Sequence, residues 1–244
     1  MDPIFKTPRL YVDIPLMKKG DDIPLSESQI HYLKNVMRRQ LGDQVRLFNG
    51  RDGEWACTLE HFDKRGGTAR AQDIIRPQGG ALCRTHLFFP PLKKEPLDTL
   101  IQKTVELGVT HFHPVLTDQA DVRTMNMDRI AAQVTEAAEQ CERLDIPVIA
   151  PLCAFKQMIA DAPCAGPIFV AVERAQLPGF AASVLALPAG ASCGFLIGPA
   201  GGWSAAERDL ILSQKGGLVP VSLGDTILRA ETAAIAMAAV IAIG

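Results

Sequence analysis

Phe195-Leu196-Ile197-Gly198-Pro199-Ala200-Gly201-Gly202-Trp203-Ser204 and Val221-Ser222-Leu223-Gly224-Asp225-Thr226-Ile227-Leu228-Arg229-Ala230-Glu231-Thr232 decide the reading of this chain. Each is an apolar run that stops at a glycine, where the backbone can turn tightly or let a ligand approach closely. The second turn delivers Arg229, Glu231 and Thr232 to the mouth of a helix. A fully apolar strand ahead of each turn predicts a parallel sheet buried on both faces. Ligands of such sheets bind outside the carboxyl ends of the strands. Ser204 stands where it would cap the following helix. Taken alone, a Gly-Pro-x-Gly-Gly turn is a tight turn or a ligand cradle; the pairing of the two stretches favours a site.

The whole chain bounds what surrounds that site. Its 244 residues suffice for one large domain or two modest ones with a sizeable core. A composition 48% hydrophobic and 21% charged is that of a soluble globular protein. Asp2, Pro3 and Lys6 without an apolar run behind them predict no signal peptide. The most apolar segment, 233–243, is too short to span a bilayer. Cysteines at 57, 83, 141, 153, 164 and 193 show neither a C-x-x-C pair nor metal-ligand spacing, as expected of free thiols in a reducing cytoplasm. The expectation is a cytoplasmic protein without membrane or metal. Residues 1–76 carry 13 Lys/Arg against 11 Asp/Glu, and residues 77–244 carry 12 against 16. Any nucleic-acid surface must therefore gather its cations in space rather than in sequence.

Taken in order, residues 7–14 read as an initial strand, and Ser26-Glu27-Ser28-Gln29 as a capping box opening a helix through Met37. Ile30, Leu33 and Met37 share one face of that helix, with Lys34, Arg38 and Arg39 on its polar side. Strands 44–48, 54–60 and 68–75 follow, separated by Asn49-Gly50, Asp52-Gly53 and Gly66-Gly67 turns. This is a small, mostly β unit, read as a barrel. Arg76-Pro77-Gln78-Gly79-Gly80 is a natural linker, giving domains 1–76 and 77–244. Beyond it, strands (85–89, 112–116, 168–172, 193–197, 218–222) alternate with helices (96–107, 128–143, 205–214, 230–243). That alternation predicts a mostly parallel α/β sheet. The last helix is apolar on nearly every side and should be buried or lie at an interface.

No G-x-x-x-x-G-K-[ST] occurs and no G-x-G-x-x-G follows a strand, which sets aside a P-loop and a Rossmann site. The pair Leu196-Ile197-Gly198-Pro199-x-Gly201-Gly202 and Leu223-Gly224-x-x-Ile227-Leu228-Arg229-x-Glu231-Thr232-Ala233 resembles the SPOUT methyltransferase superfamily. More narrowly, it resembles the RsmE family of 16S ribosomal RNA (uracil-N3)-methyltransferases. Ile101–Val109 and Ala138-Glu139-Gln140-Cys141-x-Arg143 with Ile146-Pro147 carry the resemblance through most of the chain.

The resemblance implies a trefoil-knotted SPOUT methyltransferase domain over 77–244, preceded by a PUA-like β-barrel over 1–76 that helps hold RNA. It implies S-adenosylmethionine bent within the knot's loops, a homodimer packed through the knot, and 16S rRNA within the 30S subunit as partner. Cofactor contacts carry over to Gly198, Pro199, Gly201, Gly202 and Gly224. Leu196, Ile197, Leu218, Leu223, Ile227 and Leu228 supply apolar walls, and Thr232 follows on the helix. Lys93, Arg143, Gln140, Arg38 and Arg39 are the candidate RNA contacts. Two positions depart from the family pattern: Ala200, where Glu is usual, and Gln119, where Arg is usual.

The acceptor, uracil N3, is a poor nucleophile until its proton leaves and charge spreads over two ring carbonyls. A fork-shaped, always-charged guanidinium is suited to that charge, which singles out Arg229. Its bland alternative is an ion pair with Glu231 or a neighbouring subunit. Glu231 or a water could take the proton. Glu139 and Arg143, four residues apart, are read as sharing a helix face, either as a solvated ion pair or toward the pocket. His111 and His113, on one strand face, read as structural. Trp203 either anchors the core or closes over the site. Two other functions fit the same motifs: methylation of a different RNA base, and a non-catalytic RNA-binding dimer.

Overall fold

The computed structural model describes residues 3–14, 17–63, 65–79 and 84–243. Gly80 of the expected linker and Cys83 lie outside the described residues. The chain forms two compact units, Met1–Leu82 with Ala138–Ile146, and Cys83–Ala137 with Pro147–Gly244. The first is therefore not contiguous in sequence.

In the first unit, β1 (Arg9–Tyr11), β2 (Asp22–Leu25), β3 (Gln44–Phe48), β4 (Glu54–Phe62) and β5 (Gly67–Arg76) form one sheet. Its order is β1-β3-β4-β5-β2. The expected barrel is a sheet whose edge strands β1 and β2 share no ladder among the described residues. Helix α1 (Glu27–His31) follows β2 in sequence, with Ile30 in the core and Gln29 Nε2 donating to the Tyr11 carbonyl at 2.7 Å. The capping box forms as read: Gln29 N donates to Ser26 Oγ (3.3 Å), and Ser26 N to Gln29 Oε1 (2.9 Å). The helix does not continue as α through Met37. Residues Tyr32–Val36 widen into a π-turn, closed by Met37 N to the Tyr32 carbonyl at 3.0 Å. Gly53 has φ +81°, and a Cβ there would lie 2.3 Å from the Arg76 carbonyl oxygen, so only glycine fits where β4 meets β5.

Three arginines converge on one buried carboxylate in this unit. Glu54 is 0% exposed and accepts from Arg9 Nε (3.1 Å), Arg46 Nη1 (3.0 Å) and Arg76 Nε (2.6 Å). The same guanidiniums fasten the segment 138–146. Arg9 donates to the Ala138 and Arg143 carbonyls (3.0 and 2.7 Å), Arg76 to the Glu142 carbonyl (2.5 Å) and Arg46 to Glu142 Oε1 (2.9 Å). Arg9 thereby satisfies the Ala138 carbonyl near the end of helix α3 (Met127–Gln140), which would otherwise lack an intrahelical partner, and the other bonds hold the segment just beyond it. The helix ends three residues earlier than the sequence suggests, with Glu142 at φ +60°. Arg143 therefore lies beyond the helix and does not share a face with Glu139. Its guanidinium pairs with Asp145 at 2.7 Å, while Glu139 Oε1 accepts from Tyr11 N at 2.7 Å.

The second unit holds a seven-stranded, entirely parallel sheet. Its strands are β6 (Thr85–Phe89), β7 (His111–Leu116), β8 (Val148–Ile149), β9 (Cys153–Ala154), β10 (Ile168–Ala171), β11 (Cys193–Leu196) and β12 (Leu218–Val221). The order is β12-β10-β11-β6-β7-β8, with β9 also on β7. The central strands are buried along their length, as their unbroken apolar runs require. Helices α2 (Lys94–Glu106), α4 (Phe155–Asp161), α5 (Phe180–Leu185), α6 (Ala205–Leu212) and α7 (Ala230–Ile243) complete it with most of α3. Helix α7 buries Ala233, Ala234, Met237 and Ala238 and packs on α2 and α5, yet Ile243 stays 86% exposed. No helix among the described residues is long and apolar enough to cross a membrane.

Parallel pairing of β6 with β7 stacks His86 on His111 (centroids 4.4 Å) and brings His86 Nδ1 to 2.9 Å from His113 Nε2. Burial, reinforced by neighbouring histidines, holds both His86 and His113 down at about 4, below the ordinary 6.5. The folded state thus favours the neutral rings, and their contribution is full above pH 6.5 and lost as pH falls toward 4. Denaturant midpoints should accordingly drop across that window, and His113→Asn should flatten the dependence. Removing one partner of the buried Glu54 cluster leaves uncompensated charge, so Glu54→Ala should cost about 3–5 kcal/mol in equilibrium unfolding.

Candidate active site

All the parallel strands end on one side, and the segments leaving β6, β10, β11 and β12 meet there around a cavity of about 830 Å³. Pro91, Leu92 and Lys93 come from the exit of β6, Ala171–Gln176 from β10, Gly198, Pro199, Ala200, Gly202 and Trp203 from β11 and Ser222–Glu231 from β12. This is the crevice expected outside the carboxyl ends of a parallel sheet.

The turn after β11 is fixed locally. Gly202 N donates to the Pro199 carbonyl at 2.9 Å, with Gly202 at φ +76°. A Cβ on Gly202 would lie 3.1 Å from Glu173 Oε1. Ser204 caps α6 as read, accepting from Glu207 N (3.3 Å), while Glu207 Oε2 accepts from Ser204 N (3.0 Å). Glu207 is buried, and its other oxygen accepts from Asp118 N at 2.9 Å; Ser204 Oγ closes the ring by donating to Asp118 Oδ2 at 2.7 Å. The loop leaving β7 is thereby tied to the glycine turn, and Gly201 packs against Gln119. Trp203 is an anchor that also lines the cavity: its Nε1 donates to the Ala171 carbonyl (3.0 Å) and its ring meets Phe155 at 5.7 Å.

The turn after β12 is held by Ser222, whose N donates to the Pro178 carbonyl (2.9 Å) and whose carbonyl accepts from Phe180 N (3.0 Å). Gly224 follows at φ +111°. Ala233 N donates to the Arg229 carbonyl at 2.8 Å, so Arg229 sits just ahead of α7 and Glu231 in its first turn. Arg229 is exposed and Glu231 half-buried, both line the cavity, and no ion pair joins them. The bland alternative of an Arg229–Glu231 pair is not formed within the chain.

Seven of the twelve expected cofactor residues line the cavity: Gly198, Pro199, Gly202, Leu223, Gly224, Ile227 and Leu228. Leu196, Ile197 and Leu218 are instead fully buried core, Gly201 faces Gln119, and Thr232 is exposed on α7 outside the lining. Lys93 lines the cavity, whereas Arg38, Arg39, Gln140 and Arg143 belong to the first unit. Arg143 pairs with Asp145, with 11% of its side chain exposed. Sequence reasoning missed the corner Glu173-Arg174. The apolar run before it marks a strand, but only the assembled sheet brings that strand's carboxyl end to the same crevice. Among the described residues no group of His, Cys, Asp and Glu is arranged to hold a metal ion.

Comparison with known proteins matches residues 81–242 to an RNA methyltransferase domain and residues 25–72 to an RNA methyltransferase PUA domain. The chain belongs to the RNA methyltransferase family. Within the family, it is 29% identical to the ribosomal RNA small subunit methyltransferase E of Rickettsia conorii, over 93% of this chain and 91% of that protein. It is 33% identical to that of Synechocystis sp., over 86% of this chain and 69% of the relative. The crystal structure of the Neisseria gonorrhoeae ribosomal RNA small subunit methyltransferase E bound to S-adenosyl methionine superposes with a TM-score of 0.80 at 25% identity. It covers 96% of this chain and 95% of that one. The α/β methyltransferase fold with an N-terminal PUA domain is thus common to this chain and its family.

Glu207→Ala removes the acceptor for two backbone donors at the cavity's edge. Each part-buried hydrogen bond to a charged acceptor contributes about 1.5–3 kcal/mol. The variant should melt well below the wild type in thermal unfolding, while Glu207→Gln, which keeps one acceptor, should lose less.

Proposed function

We propose that this chain transfers the methyl group of S-adenosylmethionine to N3 of a uridine in 16S rRNA within the 30S subunit. The observation that carries this reading is the joining of both glycine turns, Arg229 and Glu231 around one cavity in a member of the RNA methyltransferase family. The residues fit the cofactor. The cavity is within the roughly 300–1,000 Å³ of small-molecule sites. Its floor at Gly198 and Gly202 is backbone, since a Cβ would reach 3.1 Å from Trp203 at the first and from Glu173 at the second. Leu223 and Leu228 offer apolar surface for a purine.

When bound, S-adenosylmethionine supplies a methyl group already activated on sulfonium, so the protein's work is alignment and charge control. Pro199 and Gly202 stiffen one wall of the cleft and Ser222 fixes the other. Arg229 offers its guanidinium to the uracil carbonyl oxygens as the ring becomes an anion. Glu231, in the positive first turn of α7, accepts the N3 proton directly or through water.

Three further features belong to this reading. Residues 1–76 hold RNA and 77–244 carry methyl transfer, with Lys93, Arg38, Arg39 and Gln140 as RNA contacts. The tail is knotted. In support, the chain leaves β12 at the sheet edge, runs against residues 178–180, and returns as α7 onto α2 and the central strand β11. Two copies pair through α7, whose outward side leaves Ile235, Val240 and Ile241 only half-buried. The work is cytoplasmic, where 30S subunits reside.

Arg229→Ala should retain S-adenosylmethionine binding by calorimetry while methylation of 30S subunits falls on the order of 10²–10³-fold. Arg229→Lys should recover little, because a point charge does not reproduce the planar fork. Methylation by Arg229→Ala at the wild-type rate would remove Arg229 from the chemistry.

A further inference from the structure

The exit of β10 is held unusually firmly for a loop. Val172 is buried and its N donates to the Val221 carbonyl at 3.0 Å. Trp203 Nε1 binds the Ala171 carbonyl at 3.0 Å, and Arg208 Nη1 donates to the Glu173 carbonyl at 3.3 Å. Arg174 then takes the left-handed conformation, φ +53°, which is strained for a residue with a side chain. Three neighbouring elements thus fix the backbone on which Glu173 stands.

The fixed backbone delivers the Glu173 carboxylate to the glycine turn, with Oε1 3.1 Å from where a Cβ on Gly202 would be. Glu173 lines the cavity, and its carboxylate forms no ion pair among the described residues. Glu173 is exposed, so its carboxylate beside the backbone-only turn is open to a ligand's donors. The lining charges agree: Asp121, Glu173, Asp225 and Glu231 face Lys93, Arg174 and Arg229, leaving one negative charge in excess. S-adenosylmethionine carries one net positive charge and two clusters of donors, the ribose hydroxyls and the α-ammonium.

We propose that Glu173 is a cofactor-recognition residue whose carboxylate accepts hydrogen bonds from one of those two donor clusters. The proposal rests on S-adenosylmethionine being the cofactor. It gives the β10 exit a role alongside the two glycine turns, and it explains why the strained corner at Arg174 is held in place.

Calorimetry on the full chain tests it, using S-adenosylmethionine, S-adenosylhomocysteine and 5′-methylthioadenosine, which lacks the amino-acid part. A hydrogen bond to a charged group contributes about 1.5–3 kcal/mol, so Glu173→Ala should weaken S-adenosylmethionine roughly 10- to 100-fold. Glu173→Gln, of the same shape, should weaken it by a similar factor. Equal loss for 5′-methylthioadenosine assigns the contact to the ribose hydroxyls. Loss for S-adenosylhomocysteine with 5′-methylthioadenosine unchanged assigns it to the α-ammonium. Both variants binding all three ligands within about twofold of wild type would overturn the role of Glu173 while leaving the cofactor reading intact. A wild-type chain that binds none of the three overturns both.

Discussion

Parallel pairing of β10 with β11 on one side and β12 on the other is the constraint on which the site depends. It sets Val170 beside Leu196 and Ala171 beside Val221, so three strands end within a residue of the same level. Three loops must then leave from one edge of the sheet, and their backbones crowd. Glycine at 198 and 202 relieves that crowding without filling the cleft with side chains, and Gly224 takes φ +111°, which favours glycine. Trp203 and Ser222 bond across neighbouring exits, so the cavity walls are fixed by hydrogen bonds between loops as well as by the strands.

The two units solve their packing differently. The second rests on apolar strands covered by helices, where Phe88, Ile168, Val170, Leu196 and Leu218 form a continuous core with Phe155 and Ile211. The first gathers charge inside, using Glu54 as the common acceptor for arginines from β1, β3 and β5. Such a cluster costs desolvation and repays it only when every donor is placed. Its spare donors reach the carbonyls of residues 138, 142 and 143. That is why a stretch far along the sequence belongs to the N-terminal unit.

This non-local fastening marks where the sequence stops being legible. Strands 44–48 and 85–89 and helix 230–243 have the bounds expected from their apolar runs, because local pattern and burial coincide there. The two-residue strands β8 and β9 and the short helices α4 and α5 carry no such period and were not visible. The turns of the cavity were readable because glycine announces them. Leu196, Ile197 and Leu218 look like cavity walls in sequence, yet the sheet is buried on both faces, which makes them core. Glu173 lies beyond an apolar run with no glycine to flag it, so only the assembled sheet reveals where its carboxylate goes. The helix expected to run to Arg143 stops at Gln140, where Arg9 from β1 takes the carbonyls of Ala138 and Glu139.

Nucleoside mass spectrometry tests the central claim most directly. Unmodified 30S subunits would be incubated with the purified chain and isotopically methyl-labelled S-adenosylmethionine, and their 16S rRNA digested. The account predicts labelled 3-methyluridine at one position, absent when the cofactor or the protein is omitted. Label in a different base, or none with folded, cofactor-binding protein, would contradict it.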